Sequence, residues 1–170
     1  MVLVAPLIEL QGFPASPAAK LIVRALRLTG FGGMYVPKGD VGIIHERPFV
    51  GNILTSDPVR YARNSAIIEA EPALALGGPT VAWTDAAYRS MRAMQERSYP
   101  SQIRQPIMII AAGADELVSN PAIEDFATLL RAGSHLVVAG AKHELLMEQE
   151  RFRSQFWAAF DAFVPGTPMY

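Results

Sequence analysis

Three short runs along the chain are almost wholly apolar and do not alternate: MVLVA at 1–5, PIMIIAA at 106–112 and HLVVAG at 135–140. Each is bounded by proline, glycine or polar residues. Runs of this kind suit strands covered on both faces, as in a parallel sheet, where a polar alternate position would be buried too. The second and third runs are each followed by a loop and then by apolar residues at helical spacing. After PIMIIAA come GADELVS, then Asn120 as N-cap and Pro121 at the first helical position. Ile123, Phe126, Ala127 and Leu130 follow on one face, with Gly133 as terminator. After HLVVAG, Phe152, Phe156, Ala159, Phe160 and Phe163 make an apolar stripe that ends at Pro165. The pattern predicts two consecutive units of strand, loop and helix.

The middle of the chain has helices without strands. Two Gly/Pro-bearing stretches, QGFPASP and TGFGGMYVPKGD, flank one short helix on which Lys20, Arg24 and Arg27 share a face opposite Leu21 and Leu28. Asp57 with Pro58 opens a second helix through RYARNSAIIEA, and GGPT at 77–80 opens a third carrying Trp83, Ala87, Ser90, Met91 and Met94. Helices placed between strands read as an insertion over a sheet. The Trp83 and Met91 stripe suits ordinary core and also an acyl pocket.

Size and composition narrow the class. At 170 residues the chain is one domain's worth, and a folded chain of this mass buries roughly 70% of its unfolded surface. Half the residues are apolar, 18% are charged and the net charge is −1, which argues against a disordered tail or an electrostatic nucleic-acid binder. With no cysteine, disulfides and thiolate metal sites are excluded. No apolar run approaches the ~18 residues of a membrane-spanning helix. The opening MVLVAPLIEL lacks a basic leader and a small-residue cleavage site, so the expected location is cytoplasmic.

Two residues then stand out for chemistry. Asp115 lies just beyond the run at 106–112 and His143 just beyond the run at 135–140. Adjacent parallel strands run about 5 Å apart, and open α/β sheets place ligands at the carboxyl edge, so both side chains are expected at that edge. A carboxylate there can fix one imidazole nitrogen and leave the other as a base. Each residue alone has a bland reading, as a turn aspartate or a loop histidine. His45 and His135 lack such a frame and read as structural. His143, Glu144 and Glu148 form HExxxE, not the HExxH spacing that sets two imidazoles on one helix face, and no metal site is assigned. Neither GFGG nor the paired glycines at 77 and 78 match a GxGxxG or P-loop pattern.

Taken with their order and spacing, MVLVAPLIEL, NILTSDPVRYARN (52–64), GGPTVAW (77–83), PIMIIAAGADELVS (106–119) and GAKHELLMEQE (140–150) resemble the second half of an α/β-hydrolase of the bacterial lysophospholipase and monoacylglycerol lipase type. The resemblance implies a core strand in 1–10, a helical cap over 11–76 and a core α/β part over 77–170. It implies that Asp115 is the catalytic acid and His143 the catalytic base of a serine ester hydrolase that needs no cofactor. Leu7, Ile8, Trp83, Leu117 and Val118 are the implied substrate contacts.

The chain departs from the family at the nucleophile. No G-x-S-x-G occurs in it, and none of its nine serines has the context of a tight strand-to-helix turn. The expectation is an α/β-hydrolase truncated before the nucleophile elbow and inactive alone. The expected substrate is a lipid or other apolar ester, with no nucleic acid and no more than peripheral membrane contact. Self-association, or pairing with the missing N-terminal half through the first strand, is the expected protein contact. The rival readings are a non-catalytic α/β binding or assembly module, and the same fold with epoxide hydrolase or dehalogenase chemistry.

Overall fold

The computed structural model describes residues 1–11, 16–36 and 48–164. His45, Pro165 and parts of the two Gly/Pro stretches lie outside them. The chain runs β1 (Val2–Val4), α1 (Pro17–Leu26), α2 (Pro58–Ala70), α3 (Val81–Met94), α4 (Ser98–Gln102), β2 (Ile107–Ala112), α5 (Asn120–Thr128), β3 (Gly133–Val138) and α6 (Glu150–Phe163). The three strands form one parallel sheet in the order β1-β2-β3. All three predicted strands and both strand-to-helix units are present.

β2 is the centre of the sheet, and its side chains divide between two cores as strand geometry requires. Ile107, Ile109 and Ala111 pack with Ile8, Val118 and the α5 residues Ile123 and Phe126. Ile110 and Ala112 face the other way, onto Val138, Leu145 and the α6 residues Phe152 and Phe156. Helices therefore cover both sides of β2. The α6 stripe behaves as its spacing predicts.

β3 does not. Gly133, Ser134, His135 and Val137 are exposed, and of this strand only Val138 is fully buried. It is the edge of the sheet, so only one of its faces finds cover. Expected boundaries also shift. The N-cap of α5 is Ser119, not Asn120: Ser119 Oγ accepts from the Ala122 N–H, while Asn120 Nδ2 donates to the Ala112 carbonyl. Gly133 opens β3 instead of ending α5, and a Cβ there would lie 2.7 Å from Leu130 Cβ and 3.1 Å from the Ala127 carbonyl.

In the middle segment, α2 starts at its predicted cap, Asp57, whose Oδ1 accepts from the Val59 and Arg60 N–H groups. Thr80 caps α3 in the same way, accepting from Trp83 N–H. The α3 face differs from the predicted stripe. Ala87, Tyr88 and Met91 form a small core with Leu7, Leu10 and Val23, whereas Ser90 is exposed and Trp83 is 51% exposed. Asp85 explains the rotation. Its carboxylate is buried on the inner face and pairs with Arg27, Arg89 and, at 4.0 Å, Arg24. Arg24 of α1 and Arg27 just beyond it reach Asp85 from partly exposed positions beside the inward-packed Val23, and Leu21 and Leu28 are exposed at 69% and 75%.

Candidate active site

Both candidate residues sit in loops that leave the carboxyl edge of the sheet, and those loops are stitched together. Gly113 N–H donates to the Val138 carbonyl, and Ala114 N–H to the Ala141 carbonyl. The approach is close enough to demand glycine at 113, where a Cβ would lie 2.9 Å from Ala139 Cα and 3.0 Å from the Val138 carbonyl oxygen. The loop after β2 then closes on Asp115. Its Oδ1 accepts from the Leu117 and Val118 N–H groups at 2.8 and 3.0 Å, a local turn held by the side chain itself.

The second carboxylate oxygen is left for the imidazole. Asp115 Oδ2 lies 2.8 Å from His143 Nδ1. The Asp115 side chain is fully buried and the His143 ring is 26% exposed. Burial pushes the Asp115 carboxyl up, but hydrogen bonds from His143, Val118 and Leu117 outweigh it and hold the group below the ordinary aspartate value. An ionised carboxylate only accepts, so Nδ1 carries a proton, and in the neutral ring the lone pair is then on Nε2. Nε2 has no hydrogen-bond partner among the described residues. The arrangement is that of an oriented general base.

Leu7, Ile8, Leu117 and Val118 belong to one region: Ile8 and Val118 are core residues at 3% and 2% exposure, with Leu7 and Leu117 packed against them. A short antiparallel bridge between Leu10 and Val118 ties the segment after β1 to the Asp115 loop, with Gln11 N–H donating to the Leu117 carbonyl and Ser119 N–H to that of Glu9. A pocket of about 450 Å³ beside Asp115 is lined by Leu10, Gln11, Gly113, Ser119, Asn120 and Pro121. Trp83 stands apart on the outer side of α3. Among the described residues no three His, Cys, Asp or Glu side chains gather as a metal site, and Glu148 faces Ser56 and the Lys142 N–H. His135 is exposed on β3.

A set of residues around the histidine was not visible in the spacing. The segment Asn52 to Asp57 lies against residues 142–149. Glu144 N–H donates to the Leu54 carbonyl, Lys142 Nζ to the Asn52 carbonyl, and Thr55 Oγ1 to the Met147 carbonyl at 2.7 Å. Arg60 continues the seam, bonding the Glu148 carbonyl at 2.9 Å and the Glu150 carboxylate.

Residues 1–150 match the Hydrolase_4 family, described as serine aminopeptidase, S33. Lysophospholipase L2 of Escherichia coli (strain K12) is 30% identical over 114 residues, which are 63% of this chain and 33% of that protein. The probable lysophospholipase L2 of Haemophilus influenzae is 26% identical over 145 residues, 85% of this chain and 45% of that one. The chain therefore spans less than half the length of these two relatives. Among solved structures, a soluble variant of monoglyceride lipase from Saccharomyces cerevisiae, in complex with a substrate analogue, superposes with a TM-score of 0.66 at 15% identity. That match covers 93% of this chain and 52% of the lipase. Monoacylglycerol lipase of Paleococcus ferrophilus gives 0.66 at 15%, covering 96% and 58%. At this identity the two structures speak for the fold: the three parallel strands and their helices correspond to part of an α/β-hydrolase. Among the described residues no helix is long and apolar enough to cross a membrane.

Proposed function

The chain belongs to the Hydrolase_4 (serine aminopeptidase, S33) family, and from that membership we propose that it is the acid-and-base portion of a serine hydrolase acting on carboxylic esters of lipids. One observation carries the reading: His143 Nδ1 is held 2.8 Å from a buried, ionised Asp115 while Nε2 has no hydrogen-bond partner among the described residues. The 170 residues contain no G-x-S-x-G, so the nucleophile is assigned to a serine outside them. The names of the two curated relatives favour a lysophospholipid or related glycerol ester over the peptide amide that the family description suggests.

In this reading the serine Oγ attacks the ester carbonyl carbon as His143 Nε2 takes its proton. The imidazolium, paired with Asp115, then protonates the departing alcohol oxygen. Water attacks the acyl-enzyme, giving its proton to the same nitrogen, which passes it to the serine Oγ as the acyl–oxygen bond breaks, so the carboxylic acid leaves and both groups are restored. Residues 11–76 serve as the cap. Leu7, Ile8, Leu117 and Val118 form the apolar floor under the site, and Trp83 on the outer side of α3 is assigned to the acyl chain.

Hydrolysis of lysophospholipid, monoacylglycerol and an aminoacyl amide by the complete polypeptide tests this. The expected outcome is turnover of an ester substrate that falls by about a millionfold in His143→Gln. Unchanged turnover in that variant, or turnover of the amide alone, overturns the reading.

A further inference from the structure

Glu148 is fully buried, and nothing in the acid-base pair uses it. Its carboxylate is held by three donors: Oε1 accepts from the Lys142 N–H at 2.8 Å, and Oε2 accepts from Ser56 Oγ and, at 3.1 Å, from the Gln149 N–H. A buried carboxylate persists only where such donors replace its water, so this one is specified by its surroundings. The donors come from two places 92 residues apart in sequence, Ser56 before α2 and the loop that carries His143.

Several more bonds point to the same joint. The residues on either side of His143 are both held: Lys142 by Glu148 and by the Asn52 carbonyl, Glu144 by the Leu54 carbonyl at 2.8 Å. The holding segment is itself fixed, since Asn52 Nδ2 donates to the Thr55 carbonyl at 2.6 Å and Leu54 N–H to Asn52 Oδ1 at 2.8 Å. Gln149 Nε2 closes the ring by donating to the Ser56 carbonyl at 3.0 Å. By contrast, on the histidine loop the Asp115 carboxylate bonds only the imidazole, and cannot by itself fix the backbone beneath it.

We propose that Glu148 and Ser56 are positioning residues for His143, locking the histidine loop onto the segment 52–57 so that Nδ1 stays on Asp115. Neither side chain touches the reacting atoms. The inference rests on the reading of His143 as the base, and it adds a coupling: displacement of the segment 52–57 releases the base from its acid.

The test reads the imidazole directly in the 170-residue protein, which has only three histidines. In nitrogen-15 and low-field proton NMR, the unmodified chain is expected to show one imidazole in a single tautomer with a slowly exchanging Nδ1 proton. His143→Gln removes that signal and assigns it. In Glu148→Gln the Oε2 acceptor becomes an amide facing the Gln149 N–H donor. In Ser56→Ala one hydroxyl donor is lost and the carboxylate keeps its two backbone donors. Both variants are expected to lose the low-field Nδ1 resonance and to show mixed tautomers while still unfolding cooperatively. Ser56→Thr, which restores a hydroxyl, is expected to restore the signal. Ser56→Ala gives the same reading if Glu148→Gln does not fold. An unchanged His143 signal in a folded variant overturns the proposal and leaves the base reading intact. If the low-field signal is absent from the unmodified chain, the base reading fails first.

Discussion

Asp115 spends its two oxygens on different tasks: Oδ1 accepts from the Leu117 and Val118 N–H groups, and Oδ2 lies 2.8 Å from His143 Nδ1. The carboxylate is thereby oriented by its own loop before it orients the imidazole. In Asp115→Asn an amide nitrogen must replace one oxygen. Placed toward His143, it stabilises the wrong tautomer. The expected result is a loss on the order of ten-thousandfold in kcat for the complete enzyme, with the fold retained. A variant within tenfold of the unmodified enzyme would contradict the role given to Asp115.

Gly113 separates packing from chemistry. A methyl group at this position meets backbone atoms of Ala139 and Val138, which cannot rotate away. Gly113→Ala is expected to lower stability by about 1–3 kcal/mol. It should also lengthen the contact between Asp115 and His143, because the two loops are joined through this residue. Denaturant unfolding and the His143 proton signal read the two effects separately, and a variant with neither would refute the close approach.

The acid limb of stability has named sources. Arg27 hydrogen bonding, with Arg89 and Arg24 charge opposing the effect of burial, holds Asp85 below the ordinary aspartate value. For Asp57, hydrogen bonds from Arg60 and Val59 outweigh burial to do the same. Groups lowered on folding stabilise fully above their unfolded value of about 3.9, and that stabilisation disappears as pH falls through the folded value. Asp85→Asn is therefore expected to unfold earlier than the unmodified chain at pH 7, by about 2 kcal/mol. The gap should close as pH falls below about 4. A gap that persists unchanged at pH 2 would show that shape, not charge, makes Asp85 important.

The free edge of β1 makes a further expectation. Met108 N–H donates to the Met1 carbonyl and Ala5 N–H to the Ile110 carbonyl, so the alternate residues Val2 and Val4 aim their backbone groups away from β2. Among the described residues that edge has no partner. Such an edge is a template for pairing. Light scattering of the 170-residue chain is expected to show association that grows with concentration and weakens in Val2→Pro, which removes one outward N–H. A chain that remains monomeric throughout would contradict it.

What the sequence made legible follows from the range of the forces involved. The β2 run, the α6 stripe and the caps of α2 and α3 are local, and each appears as its spacing predicts. The Asp115 and His143 pair was legible because two consecutive strand-to-helix units bring their loops to one edge. The facing of α1 was not, because it depends on the ion pairs that Arg24 and Arg27 make with Asp85, 58 residues away from Arg27. Ser56 and Glu148 were hidden for the same reason, and HExxxE, which does not match the metal spacing HExxH, gave the glutamate no other role. Ser119 and Asn120 are both good caps, and only the tertiary bond from Asn120 to Ala112 decides between them. The exposed face of β3 reflects its place at the sheet edge, which an apolar run does not encode.

Fluorophosphonate labelling of the natural polypeptide, followed by intact-mass and peptide mass spectrometry, tests the serine hydrolase assignment most directly. The expected result is one adduct on a serine outside these 170 residues, abolished by His143→Gln, with the isolated 170-residue chain unlabelled. An adduct on one of the nine serines within the chain, or labelling that survives His143→Gln, would contradict the division of the catalytic groups described above.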